Sequence, residues 1–378
     1  MKLSKEIYRD KQGNLIRKFN HNGLITSEEY HDPSFIRSKK VLYKEEKQIT
    51  SILETRQNNE GTSSEEDGIL SLYQYSGESY QVFKYRIGTG TYKDFVNLKY
   101  LSYGKDDWHN VDEASSVYKF KLENGLPVTE VYQDLSDGTK STVNYSYSNG
   151  LKVSETRTAE DGTVVKSDFA YENGKLKSKL TSVNSEFSDM LLYVYQNDLL
   201  SEEQKICRYK GIQYPAFQKK IFYNSKNEIE KTEYYGRYDE RMLLYKKEEV
   251  IRKGNLVTKK HFETPNLEMM TGQYDLAALH AKLREDQMDW AIPLFDKKYA
   301  ETAKPELGNW SIEAHDEKGN LTEIKMMHPD IAKKEVLAHL VYRNEYNEES
   351  LLEFVISYRI NEEDKQEEMD IKKFYYYN

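Results

Sequence analysis

Short stretches in which apolar and polar residues alternate, the period of a half-buried strand, are separated along most of this chain by turn residues. The clearest run is Tyr118 to Leu180, where Gly125, Gly138, Gly150, Gly162 and Gly174 each follow Asn or Asp. Asn-Gly and Asp-Gly tolerate the positive φ that tight hairpins need, so each pair is expected to reverse an antiparallel strand. The segments between them, such as VNYSYS before Asn149 and SDFAYE before Asn173, are rich in Tyr, Val, Thr and Lys. The pattern predicts a mostly β fold: an extended antiparallel meander of hairpin repeats with a small helical insertion.

Loop length decides which side chains share a face, because a one-residue slip turns every side chain over. At Gly150 a three-residue loop, Ser148-Asn149-Gly150, pairs Tyr147 with Leu151 and sets Tyr145 on the side of Val153. The longer loop is also expected at Gly125, with Leu122 opposite Leu126 and Phe120 opposite Val128, and at Gly23, with Phe19 opposite Ile25. At Gly174 the extra Lys175 favours a two-residue loop, with Tyr171 opposite Leu176 and Phe169 opposite Ser178. On this reading the repeat keeps one apolar face and adjusts its turns to do so.

The same units recur from the start of the chain, around Gly13 and Gly23, and in longer strands over residues 33–103, among them FVNLKYLSY. Gln57 to Gly68 reads as an exposed polar loop, and Gly104 to Ala114 as a break. The beat weakens after Leu180 and stops near residue 272. There YDLAALHAKLRED spaces Leu276, Leu279 and Leu283 as on one helix face, and Pro293 is placed to open a second helix through Ala303. Strand character returns after Pro305. The division expected is therefore 1–271 sheet, 272–304 helical insertion and 305–378 strands that continue or cap the sheet.

Composition refines this. Charged residues make up 31% and mean hydropathy is −0.86, values that tend toward disorder, yet the chain has 32 Tyr. A Tyr ring can be buried while its hydroxyl stays wet, which suits a thinly covered sheet. The net charge of −9 comes with interleaved Lys and Arg, which disfavours a nucleic-acid surface. One cysteine, Cys207, excludes an intrachain disulfide and any Cys-clustered zinc site. No signal-peptide core and no run of about 18 apolar residues is present, and the expectation drawn from this is a cytoplasmic chain without a membrane span.

The units YSYSNGLKVSE (145–155), FAYENGKLKSK (169–179), FKLENGLPVTE (120–130) and FNHNGLITSEE (19–29) share an aromatic, a turn, Asn-Gly and a polar strand. This pattern resembles the YD or RHS-type repeats of bacterial polymorphic toxin systems, and related Tyr/Asn-Gly repeats in antitoxin and immunity-like proteins. The usual Tyr-Asp dipeptide is mostly replaced here by Tyr-Ser, Tyr-Glu and Tyr-Gln, and the chain is short for the closed shell of that family. The resemblance implies sheet architecture and carries over no catalytic residue.

No chemistry stands out. The eight histidines are scattered without metal-ligand spacing, no GxSxG elbow is present, and Gly88-Thr-Gly90 lacks the rest of a dinucleotide loop. No enzyme, cofactor or metal is therefore expected, although His280, in the expected helix beside Leu279 and Leu283, would be the group to watch. Tyr145, Tyr147, Phe169, Tyr171, Tyr193 and Tyr195 are the candidate binding residues, as a platform for a protein or a sugar, and Gly23, Gly125, Gly138, Gly150, Gly162 and Gly174 the structural turns. The functional expectation is a non-catalytic protein-binding module, with a toxin as candidate partner in an immunity role. The alternative is a glycan-binding envelope module. Oligomeric state is left open.

Overall fold

The computed structural model describes residues 2–9, 13–32, 35–45, 47–58, 66–87, 114–209, 211–238, 241–264, 276–294, 302, 304–361 and 365–376. The expected strand FVNLKYLSY, the motif at Gly88 to Gly90, nearly all of the break at Gly104 to Ala114 and most of the Gln57 to Gly68 loop lie outside the described residues. Those described are almost wholly antiparallel β, with one α-helix.

The strands are β1 Leu3–Arg9, β2 Asn14–Phe19, β3 Ile25–His31, β4 Phe35–Lys44, β5 Gln48–Asn58, β6 Glu66–Ser76, β7 Ser79–Ile87 and β8 Ser116–Glu123. They continue as β9 Leu126–Asp134, β10 Lys140–Ser148, β11 Leu151–Thr158, β12 Val164–Glu172, β13 Lys175–Val183, β14 Glu186–Gln196, β15 Leu199–Tyr209 and β16 Ile212–Tyr223. Last come β17 Ile229–Tyr238, β18 Arg241–Lys253, β19 Leu256–Glu263, β20 Glu306–His315, β21 Leu321–Met327, β22 Val336–Tyr346, β23 Leu352–Ile360 and β24 Gln366–Tyr376. The helix α1, Leu276–Glu285, lies between β19 and β20.

Two compact units divide the chain: Met1–Tyr145 with Thr156–Thr163 and Val341–Asn378, and Ser146–Glu155 with Val164–Leu340. In the first, an unbroken antiparallel ladder runs β23, β24, β1, β2 and onward strand by strand to β10. The first and last strands are thus hydrogen-bonded neighbours, with Ile7 opposite Lys373 and Arg9 opposite Ile371. In the second, β12 to β21 pair each with the next.

The turns follow two designs. Asn124-Gly125, Asn149-Gly150 and Asn173-Gly174 put both central residues in the left-handed region, at φ 52 and 78, 52 and 77, and 51 and 76 degrees. That is the two-residue type I′ turn, whose twist matches that of the strands it joins. The three-residue loops expected at Gly125 and Gly150 are therefore not formed. Glu123 pairs with Leu126 and Leu122 with Pro127, and a register shift then sets Lys121 opposite Thr129 and Phe120 opposite Glu130. At Gly174 Tyr171 meets Leu176 as expected, but a shift beyond it sets Phe169 opposite Lys179 rather than Ser178. At Gly23 Phe19 does pair with Ile25. The chain keeps its turns and corrects its faces with bulges beside them, which also sharpen local twist.

The second design is a five-residue loop opened by Asn or Asp. The side-chain oxygen of Asn20 accepts from the backbone N–H of Asn22 and Leu24, that of Asn224 from Lys226 and Glu228, that of Asp316 from Lys318 and Asn320, and that of Asn347 from Glu349 and Leu351. One carbonyl-type oxygen thus satisfies two donors that the tight bend would leave bare. Replacing Asn224 by Ala is expected to cost about 1–2 kcal/mol, the value of two or three such bonds, read as a lower urea midpoint at unchanged slope. In a related turn, the backbone N–H of Thr163 holds the Asp161 carboxyl below its usual range. The stabilisation this gives is present above the unfolded carboxyl value and is lost as pH falls through the lowered folded one.

The helix is placed by apolar contact. Leu283 on α1 and Ala291 in the 3-10 turn Asp289–Leu294 pack on Tyr238 and Tyr245, with Phe217, Tyr234 and Leu243 around them. Tyr245 is the extra residue of a bulge, since Tyr234 pairs with Lys246 and Tyr235 with Leu244. Pro293 lies within that 3-10 turn, and most of the second helix expected from Pro293 through Ala303 lies outside the described residues.

Candidate functional site

Successive residues on a strand point to opposite faces, so adjacent cross-strand rows report on the two sides of the sheet. In the second unit one row reads Glu203, Lys219, Tyr234, Lys246, Glu263 across β15 to β19. The next reads Glu202, Lys220, Glu233, Lys247, Phe262. Both faces are charged at mid-strand. Lysines lie over rings on either side, Lys246 at 5.1 Å from the Tyr234 centroid and Lys247 at 4.0 Å from that of Phe262. Carboxylates join the same rows, with Lys246 Nζ at 3.2 Å from Glu248 and Lys247 Nζ at 2.8 Å from Glu249. Long side chains here do the covering that a second layer does elsewhere, their stems over apolar surface and their heads in water.

The six aromatic positions singled out above fall into this scheme. Phe169, Tyr171, Tyr193 and Tyr195 share one face of β12 and β14, through Phe169 opposite Lys179 and Lys179 opposite Leu191. Lys152 and Lys179 lie over the Phe169 ring at 4.9 and 5.7 Å, and Lys175 over Tyr195 at 5.3 Å. The Tyr171 hydroxyl donates to the Lys152 carbonyl at 2.9 Å. Tyr145, in the other unit, donates to Glu130 at 2.8 Å, and Tyr147 is half-buried. His280 on α1 is partly exposed. No group of three or more His, Cys, Asp or Glu able to hold a metal occurs among the described residues.

The first unit carries a groove of about 910 Å³ over β2 to β7 that no sequence motif announced. Two rows form it. One runs Glu6, Arg17, Glu28, Lys39, Glu54, Ile69, Arg86, and the other Tyr8, Leu15, Tyr30, Arg37, Arg56. Arg17 pairs with Glu28 at 2.6 Å and approaches Glu6 at 3.7 Å, and Lys39 pairs with Glu54 at 2.9 Å. Arg37 and Arg56, directly opposite each other, both lie against the Phe35 ring, their guanidinium carbons 4.8 and 5.0 Å from its centroid.

No protein-family model matches the chain, and no curated protein does. Among solved structures it is similar to a porin-like protein from Bacteroides uniformis, at 11% identity and a TM-score of 0.28, over 99% of this chain and 96% of that one. A second, from Bacteroides vulgatus, is 10% identical at a TM-score of 0.17, over 99% and 98%. At these scores the likeness carries no weight on fold or function by itself.

The expectation of a protein-binding repeat module in an immunity or antitoxin role is corrected by the strand pairing. The pairing of β1 with β24 makes the first and last described strands neighbours, where the extended hairpin meander of such a module would leave them apart. The cytoplasmic assignment falls as well. It rested on the lack of an apolar helix; none of the described helices is long and apolar enough to cross a membrane, but that says nothing of strands, which cross with about 9–11 residues each.

Proposed function

We propose that the two ladders continue into one another as a closed, hollow β-barrel of porin type, whose polar lumen admits small hydrophilic solutes. The observation that carries this reading is the antiparallel pairing of β1 with β24. In a meander where each strand reverses the last, first and last strands can pair antiparallel only if their number is even, and 24 strands are described. Closure also removes the free edges on which sheets aggregate. The bulges beside the hairpins support the reading, because bending a sheet into a ring requires such local curvature.

One observation favours a second form of the same wall, hydrated on both surfaces instead of facing lipid. A bilayer-facing surface needs an apolar belt, and a lysine near the midplane costs about 2–4 kcal/mol. Lys219 and Lys246 stand in one row and Lys220 and Lys247 in the adjacent one, so either face would bring several such costs at once.

Small-angle scattering of the purified full chain tests closure. A ring of 24 strands is expected to be roughly 50 Å across with a hollow profile, whereas an open sheet would extend beyond roughly 110 Å. The extended profile would overturn the proposal. Conductance steps in a planar lipid bilayer would assign the porin form, and a monodisperse, detergent-free, non-conducting particle the hydrated one.

A further inference from the structure

The groove of the first unit is lined by five cationic side chains, Arg17, Arg37, Lys39, Arg56 and Arg86, against two carboxylates, Glu28 and Glu54. Both carboxylates are engaged, by Arg17 and Lys39. Asp67 stands opposite Arg56 in the register of β5 and β6. Arg37 has no acidic register partner, facing Tyr30 on one side and Arg56 on the other, and Arg86 faces Ile69. Among the described side chains no carboxylate forms an ion pair with Arg37, Arg56 or Arg86, and all three are exposed.

Like charges set directly opposite on neighbouring strands are destabilising, yet Arg37 and Arg56 are so placed and share one aromatic ring. A planar guanidinium lying on a ring keeps its N–H fork free at the rim, which suits two-point contact with a tetrahedral or planar oxyanion. The volume of the groove falls in the range of small-molecule sites. We propose that this groove binds a small oxyanion bearing two or more phosphate-type groups, held by Arg37, Arg56 and Arg86, with Phe35 as the platform that fixes the first two. The site lies on consecutive strands of one unit and stands whether or not the sheet closes.

The test is calorimetric titration of the full chain with inorganic pyrophosphate in low salt. Saturable binding is expected, weakened about tenfold or more in Arg37→Gln and again in Arg86→Gln, and unchanged in Lys226→Gln, an exposed lysine of a turn in the other unit. Arg86 is exposed and contacts no described side chain by ion pair or ring, so Arg86→Gln is expected to keep the native far-ultraviolet circular dichroism even where Arg37→Gln disturbs β4. Absence of saturable heat, or equal losses in Arg86→Gln and Lys226→Gln, would overturn the proposal. Neither result bears on the scattering test of closure.

Discussion

A chain shortened to end at Asn361 is expected to shift from the state of the 378-residue chain to larger, concentration-dependent species. The cut removes β24, which is the hydrogen-bonded neighbour of both β23 and β1. Its side chains tie the same two strands: Lys373 lies 4.5 Å from the Phe354 centroid, Lys372 lies 5.4 Å from that of Tyr8, and the Tyr376 hydroxyl donates to the Leu352 carbonyl at 2.7 Å. Without β24 two strands present bare N–H and C=O groups, and such edges recruit further strands. Sedimentation velocity across a dilution series reads the change directly. A shortened chain that sediments and melts like the parent would mean that the terminal pairing contributes nothing to the assembly.

Tyr238→Ala is expected to destabilise the second unit by about 3–5 kcal/mol, the usual cost of emptying a buried aromatic site. Tyr238 is fully buried and forms the floor on which Leu283 of α1 and Ala291 rest, beside Tyr245. Most of this sheet is one layer thick with partly exposed side chains, so few positions have comparable packing to lose. The expected readout is a lower urea midpoint together with faster amide exchange across Leu276–Glu285, since the helix would lose its seat before the strands part. Tyr238→Phe keeps the ring and is expected to retain most of the stability. A loss below about 1 kcal/mol in Tyr238→Ala, the size of an ordinary surface change, would show that the helix is held by something else.

What could be read from the chain alone divides along physical lines. The Asn-Gly corners mark where strands reverse because positive φ is a local requirement, and residues 124–125, 149–150 and 173–174 have it. The faces were less legible. Choosing loop lengths to keep Leu and Tyr together ignored bulges, which shift register without leaving a mark as plain as glycine; at Gly125 this misplaced both expected pairs. The five-residue turns had a visible signal, an Asn or Asp five residues before the returning strand at Asn20, Asn224, Asp316 and Asn347, which is fainter than glycine because no Asn-Gly pair is needed there.

The arginine rows were out of reach of any local pattern. Arg37 and Arg56 become neighbours only through the register of β4 with β5, and one arginine in FIRSKK or LETRQN looks like any solvated strand residue. The pairing of β1 with β24 was equally hidden, being separated by nearly the whole chain. The error on location had a different cause. Hydropathy windows look for helices, and a strand wall with charged residues on either side leaves no trace in them.

That seam between residues 3–9 and 371–376 also sets an order of events. Hairpins such as β12–β13 can zip as soon as they leave the ribosome, but β1 must wait unpaired on one side until residues 371–376 have been made. Closure across so long a loop is slow, since loop entropy has to be overcome before any contact is gained. Maturation of this protein should therefore include one late step, after residues 371–376 are made, and the waiting strand is where a chaperone or a second nascent copy would first take hold.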